Sequence, residues 1–134
     1  MRFIFGDTRD YLERLRCTGL LDLDCHDNPA LTTLSLSECT ELRKLDCGGA
    51  GLESLDLRNF TELVELNCSD NPSLQTLDIS KSTSLQTLSC GNTQLSNLDV
   101  HGRKALITLA CGNNALLTLG ERGRMYRAHI DFLQ

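Results

Sequence analysis

Seven cysteines and three histidines are the residues of this 134-residue chain that could carry chemistry. Closely spaced cysteines can hold zinc or pair as disulfides, and a cysteine beside a histidine can act as nucleophile and base. Spacing decides among these. Cys25, Cys47, Cys68, Cys90 and Cys111 recur at steps of 22, 21, 22 and 21 along the chain. Each takes the place that an aliphatic residue holds in the intervening half-repeats, so together they form one inward row. Buried thiols behave as small hydrophobes. A row along a rod does not converge on a tetrahedron, and no C-x-x-C occurs, so no metal or other cofactor is expected. Cys25 lies next to His26, yet Cys25 faces inward while His26 falls outside the alternation. His26, His101 and His129 are too dispersed in the repeating frame to assemble a nucleophile, a base and an orienter, and no enzymatic activity is expected. Asp22, Asp24, Asp27 and Asn28 crowd one segment. Calcium wants six to eight oxygens on a wrapped loop, so a solvated acidic face is the expectation there.

The elements that carry these residues follow from the frame around the cysteines. L-x-x-L-x-C is written five times, as Leu20/Leu23/Cys25, Leu42/Leu45/Cys47, Leu63/Leu66/Cys68, Leu85/Leu88/Cys90 and Leu106/Leu109/Cys111. Between them stands an aliphatic version: Leu31/Leu34/Leu36, Leu52/Leu55/Leu57, Leu74/Leu77/Ile79 and Leu95/Leu98/Val100. A period in the twenties repeated this often is the signature of a solenoid whose turns stack only on their neighbours. Residues 20–115 are the regular array. Residues 1–19 form an irregular entrance, in which Leu12, Leu15 and Cys17 make a shortened half-turn and Phe3, Phe5 and Tyr11 cover the open core. Residues 116–134 are a decaying half-turn and cap, so the whole chain, 1–134, reads as a single domain.

In each L-x-x-L-x-C the second Leu and the Cys alternate as in a strand, and one such strand per turn builds a parallel sheet. Three residues after each Cys stand Asn28, Ala50, Asn71, Thr93 and Asn114. An inward Asn there satisfies backbone groups at the corner, so irregularity or water is expected at Ala50 and Thr93, which lack an amide. The only two prolines, Pro29 and Pro72, sit at this same corner, where a missing N–H does no harm. The opposite side reads as a short strand, extended chain or 3₁₀ turn. A half-turn that must also supply both corners leaves no room for an α-helix. The tail reads as a short helix with Tyr126, His129, Ile130 and Leu133 on one face, or as a strand containing Ile130 and Phe132.

The charge of −5 is unevenly spread. Residues 1–67 hold 13 acids and 7 bases, residues 68–134 hold 5 acids and 6 bases, and neither half carries the basic stripe of a nucleic-acid binder. No apolar run could span or insert into a membrane, and Asp7 interrupts any signal-peptide core. With cysteines read as reduced, a cytoplasmic location is favoured; export is compatible with a trimmed chain. The outward strand positions are Asp22 and Asp24, Lys44 and Asp46, Glu65 and Asn67, Thr87 and Ser89, and Thr108 and Ala110. Since the inward rows meet the demands of the fold, these are expected to be free to bind a protein partner, with Asp24, Asp46 and Glu65 setting orientation and rate. Two other expectations stand beside this one. The array is also compatible with a purely structural or truncated repeat protein without a discrete site, and its ends invite weak end-to-end or edge self-association.

The unit L-x-x-L-x-C-x-x-N followed by L-x-x-L-D-L resembles the leucine-rich repeat family, in its short-period bacterial class with 21-residue units. Asp56, Asp78 and Asp99 match the Asp of the second segment, and Ser35 departs from it. The resemblance covers roughly residues 12–119. It implies a right-handed solenoid of about five 21–22-residue turns, with one parallel sheet. It further implies recognition of a protein or ligand without a cofactor.

Overall fold

A computed structural model describes residues 19–114 and 131–133. The chain is a leucine-rich-repeat-like solenoid of about four turns of some 22 residues, and no helix occurs among the described residues. Three-residue strands recur along the coil at steps of 21 or 22 residues: β1 Asp22–Asp24, β2 Lys44–Asp46, β3 Glu65–Asn67, β4 Thr87–Ser89 and β5 Thr108–Ala110. A sixth, β6 Asp131–Leu133, follows from the tail. They form one sheet in chain order, parallel at every pairing. The register aligns Leu23, Leu45, Leu66, Leu88 and Leu109 with one another, and Phe132 with Leu109. The tail at 131–133 is therefore strand and not helix. Its remainder, the entrance at 1–18 and the end of the array at 115–119 lie outside the described residues.

Hydrophobic patterning accounts for the core. The Leu rows of both half-turns, apart from a half-buried Leu34, and the cysteines at 25, 47, 68 and 90 are buried, and Cys111 is half-buried in the last described turn. The sheet's hydrogen bonding continues beyond the strands, through Cys25 N–H to Asp46 O at 2.8 Å and Cys68 N–H to Ser89 O at 2.8 Å. Two residues after each Cys the chain turns into the left-handed region, at Asp27, Gly49, Asp70, Asn92 and Asn113, with φ between 53° and 66°. Only Gly, Asn and Asp take up this conformation at little cost, and only they occur there. These residues still pair with the next turn, as Asp27 N–H does with Gly48 O at 2.8 Å.

The corner that follows depends on amides. Asn71 Nδ2 donates to Cys68 O at 2.9 Å and Ser69 O at 3.1 Å, and reaches into the preceding turn to Cys47 O at 3.0 Å. Its Oδ1 accepts from Leu52 N–H at 3.0 Å. Thus the Ala50 corner is served by the Asn of the turn after it. The Thr93 corner is treated likewise, with Asn114 Nδ2 donating to Cys90 O at 2.9 Å, while the Thr93 hydroxyl lies 3.0 Å from the same oxygen and 2.6 Å from Asn114 Oδ1. The irregularity or water expected at these two corners is therefore not needed. Among the described residues no buried side-chain nitrogen or oxygen lacks a hydrogen-bond partner.

The opposite side is extended chain punctuated by turns. Asp56, Asp78 and Asp99 each accept the backbone N–H two residues on, from Arg58 at 3.0 Å, Ser80 at 2.8 Å and His101 at 2.8 Å. These Asx turns give the family-like Asp its physical role. The Arg58 guanidinium, also bound to Asp56, holds the Asp56 carboxyl down at about 2. Three residues after the last aliphatic of each half-turn runs a further inward row, Cys39, Phe60 and Ser82, which the Leu periodicity does not announce. Arg103 takes the fourth place and directs its guanidinium back to Ile79 O at 3.0 Å and Ser80 O at 2.7 Å.

Burial controls the cysteines. The Cys25 and Cys90 thiols are pushed up to about 12, and those of Cys47 and Cys68 well above their usual range, chiefly by removal from water. Only the thiolate is a good nucleophile. Under a neutral alkylating pulse the native protein should therefore leave Cys25, Cys39, Cys47, Cys68 and Cys90 unmodified, and all should react in denaturant. Peptide mass mapping of the two samples is the measurement. Rapid native labelling of Cys47, Cys68 or Cys90 would refute the buried row.

Candidate protein-binding face

Strand geometry and register place the outward residues in two rows. Asp22, Lys44, Glu65, Thr87 and Thr108 form one, and Asp24, Asp46, Asn67, Ser89 and Ala110 the other. Neighbouring strands lie about 4.8 Å apart, so each row is a column of side chains at fixed spacing. Both rows border a shallow groove of about 260 Å³, lined by residues of β1 through β4 from Asp22 to Ser89. Lys44 Nζ and Glu65 Oε1, register partners, stand 3.4 Å apart, and both are exposed. An exposed pair of this kind contributes less than about 1 kcal/mol. Thr108 lies at the β5 end of the face, beyond the residues that line the groove.

The second row does not match the expectation of residues without structural duty. Asp46 Oδ1 accepts from Gly48 N–H at 3.1 Å and Asn67 Oδ1 from Ser69 N–H at 3.1 Å, so both side chains form Asx turns that lead out of the strand. Asn67 Nδ2 also donates to Asp46 Oδ1 at 3.0 Å, tying the two turns together. Asp24, expected to be exposed, is only 6% exposed. Its Oδ1 contacts the Nδ1 of His26 and accepts from His26 N–H at 3.3 Å. The imidazole, in turn, is held above its usual pKa by its side-chain hydrogen bond to Asp24 and by the negative charge of that carboxylate. The cause of the difference is local. Residues 24 and 26 lie on the same face of an extended chain, and the Asp24 carboxylate closes on His26 N–H in an Asx turn, so it packs against its own chain instead of standing out into solvent.

The grouping of Asp22, Asp24, Asp27 and Asn28 also separates. The Asn28 amide is bound to Cys25 O at 2.7 Å and His26 O at 3.1 Å, and the Asp27 side chain is 83% exposed. Instead the fold gathers Asp24, His26 and Asp46, whose ligand-type atoms lie within 4.8 Å of one another. Asp46 joins from the next turn of the coil, through the Asp24–Asp46 register. Cys25 faces the core with its thiol pushed up, so it makes no thiolate–imidazole couple with His26. His101 lies far along the chain in an exposed Asx turn, and His129 lies outside the described residues. No helix among the described residues is long and apolar enough to cross a membrane.

No protein-family model and no curated protein matches the chain. Among solved structures, a domain of InlJ from Listeria monocytogenes superposes with a TM-score of 0.76 at 30% sequence identity, and is described as a functional domain that includes a cysteine ladder. The match covers 86% of this chain and 25% of that one, so the chain spans about a quarter of the length of its structural neighbour. The neighbour is a repeat protein.

Proposed function

We propose that this chain is a protein-binding repeat module of the short-period bacterial leucine-rich-repeat class, a single domain over 1–134, that recognises its partner with the outward face of β1 to β5. The observation that carries this reading is the groove across four successive strands, in which Asp22, Lys44, Glu65 and Thr87 stand at fixed spacing and make no Asx turn. A rigid parallel sheet presents such groups already ordered, which lowers the entropic cost of binding. The acidic β1–β3 end favours a partner with a basic patch, chiefly through association rate.

The duties of Asp24 and Asp46 decide which variants test this. Charge reversal at either would disturb the turns, so it cannot separate recognition from folding. Asp22→Lys with Glu65→Lys is the informative pair. It should leave the unfolding midpoint nearly unchanged and reduce partner capture, more so at low salt. Photo-crosslinkers placed at Thr87 and at Gln75, on the opposite side, complete the experiment. Crosslinked partners should come from Thr87. Equal yields from both positions, or capture unaffected by the double variant, would remove this face as the site.

A further inference from the structure

Asp24, His26 and Asp46 are a mixed set of one imidazole and two carboxylates, drawn from two turns and held within 4.8 Å of one another. We propose that they form a binding site for a divalent first-row transition metal of the zinc type, with three protein ligands and one position left for water or a donor from outside the chain.

Three observations carry it. First, the parallel register fixes Asp24 beside Asp46, so two carboxylates of like charge are set side by side by the fold itself. A dication placed between them removes that repulsion. Second, both carboxylates are held before any ion arrives. Asp24 Oδ1 accepts from His26 N–H at 3.3 Å, while Asp46 Oδ1 accepts from Gly48 N–H at 3.1 Å and Asn67 Nδ2 at 3.0 Å. Hydrogen bonds of this kind to ligating carboxylates orient them and strengthen the site. Third, the set stands at the groove margin, with Asp24 buried and His26 and Asp46 partly open, so an ion can enter without unfolding the turn.

The donor set selects the metal. Zinc bonds of about 2.0–2.1 Å put tetrahedral ligand atoms about 3.3 Å apart. Small side-chain rotations bring atoms within 4.8 Å to that spacing. Calcium requires six to eight oxygens and has no use for an imidazole. The cysteine row takes no part, because its thiols face the core.

The test uses the full chain, reduced with a phosphine and free of any polyhistidine tag. Zinc chloride titration by calorimetry should show one ion per chain, and calcium chloride should give no comparable binding. His26→Ala and Asp46→Asn should each raise the zinc dissociation constant by about tenfold or more. Asp46→Asn keeps an oxygen for Gly48 N–H, and circular dichroism checks both folds. Cobalt chloride should give visible bands without thiolate charge transfer. The proposal is overturned if zinc does not bind, if both variants bind as the unmodified chain does, or if cobalt reports cysteine ligation.

Discussion

Asn71→Ala should destabilise the protein by on the order of 3–5 kcal/mol, measured as the change in unfolding free energy in urea. The side chain is fully buried. Its removal takes the partner from Leu52 N–H and from the carbonyls of Cys47 and Cys68, in two turns at once, while Ser69 O keeps Gly49 N–H at 3.0 Å. Each buried polar group left without a partner costs about 1–3 kcal/mol. Asn71→Asp separates the two ends of the amide: it retains an acceptor for Leu52 N–H but turns a second oxygen, and a charge, on the carbonyls. It should also be strongly destabilising. A loss under about 1 kcal/mol for the alanine variant would mean that water replaces the amide and that the corner does not depend on it.

Phe60→Ala should lose about 3–5 kcal/mol, the range for deleting a large aromatic from a packed core. Phe60 is among the largest fully buried side chains, at 2% exposure. Cys39 and Ser82, the residues at the same place in the adjoining turns, are small, and the Ser82 hydroxyl donates to Phe60 O at 3.3 Å. The ring therefore fills a space that its row neighbours leave, and no larger side chain of that row stands beside it to collapse inward. Phe60→Leu should lose less than half as much. Thermal and urea unfolding of the two variants is the measurement, and equal stabilities would show that the ring fills no such space.

The chain is most legible where one requirement repeats. Leu at positions one and four and Cys at six reveal the turn length, the sheet and its inward face, because burial imposes the same choice in each turn. Legibility ends where the requirement is met by several residue types. The left-handed position two after each Cys holds Asp, Gly, Asp, Asn and Asn, a set with no common side-chain chemistry but one backbone tolerance in common. That set is the available signal. The row of Cys39, Phe60, Ser82 and Arg103 mixes sizes and polarity, so no periodicity in hydrophobicity marks it. The Asp24–His26–Asp46 group is hidden for another reason: it combines an Asx contact two residues apart with a register contact between successive turns. Asp46 and Asn67 also show that an outward position can vary in residue type and still carry structure, since Asp and Asn both close an Asx turn.

Several side-chain donors along the coil reach back to the turn before. Asn71, Ser82, Arg103 and Asn114 each donate to a carbonyl of the turn before, across 22 to 24 residues. During synthesis a newly made turn therefore emerges incomplete, with Cys47 O lacking its amide until Asn71 has been added. At about 5–20 residues per second that interval is about one to five seconds. Growth of the rod is thus directional. Where such a donor is used, the newest turn is the one least able to exclude water, and it is sealed by the turn translated after it.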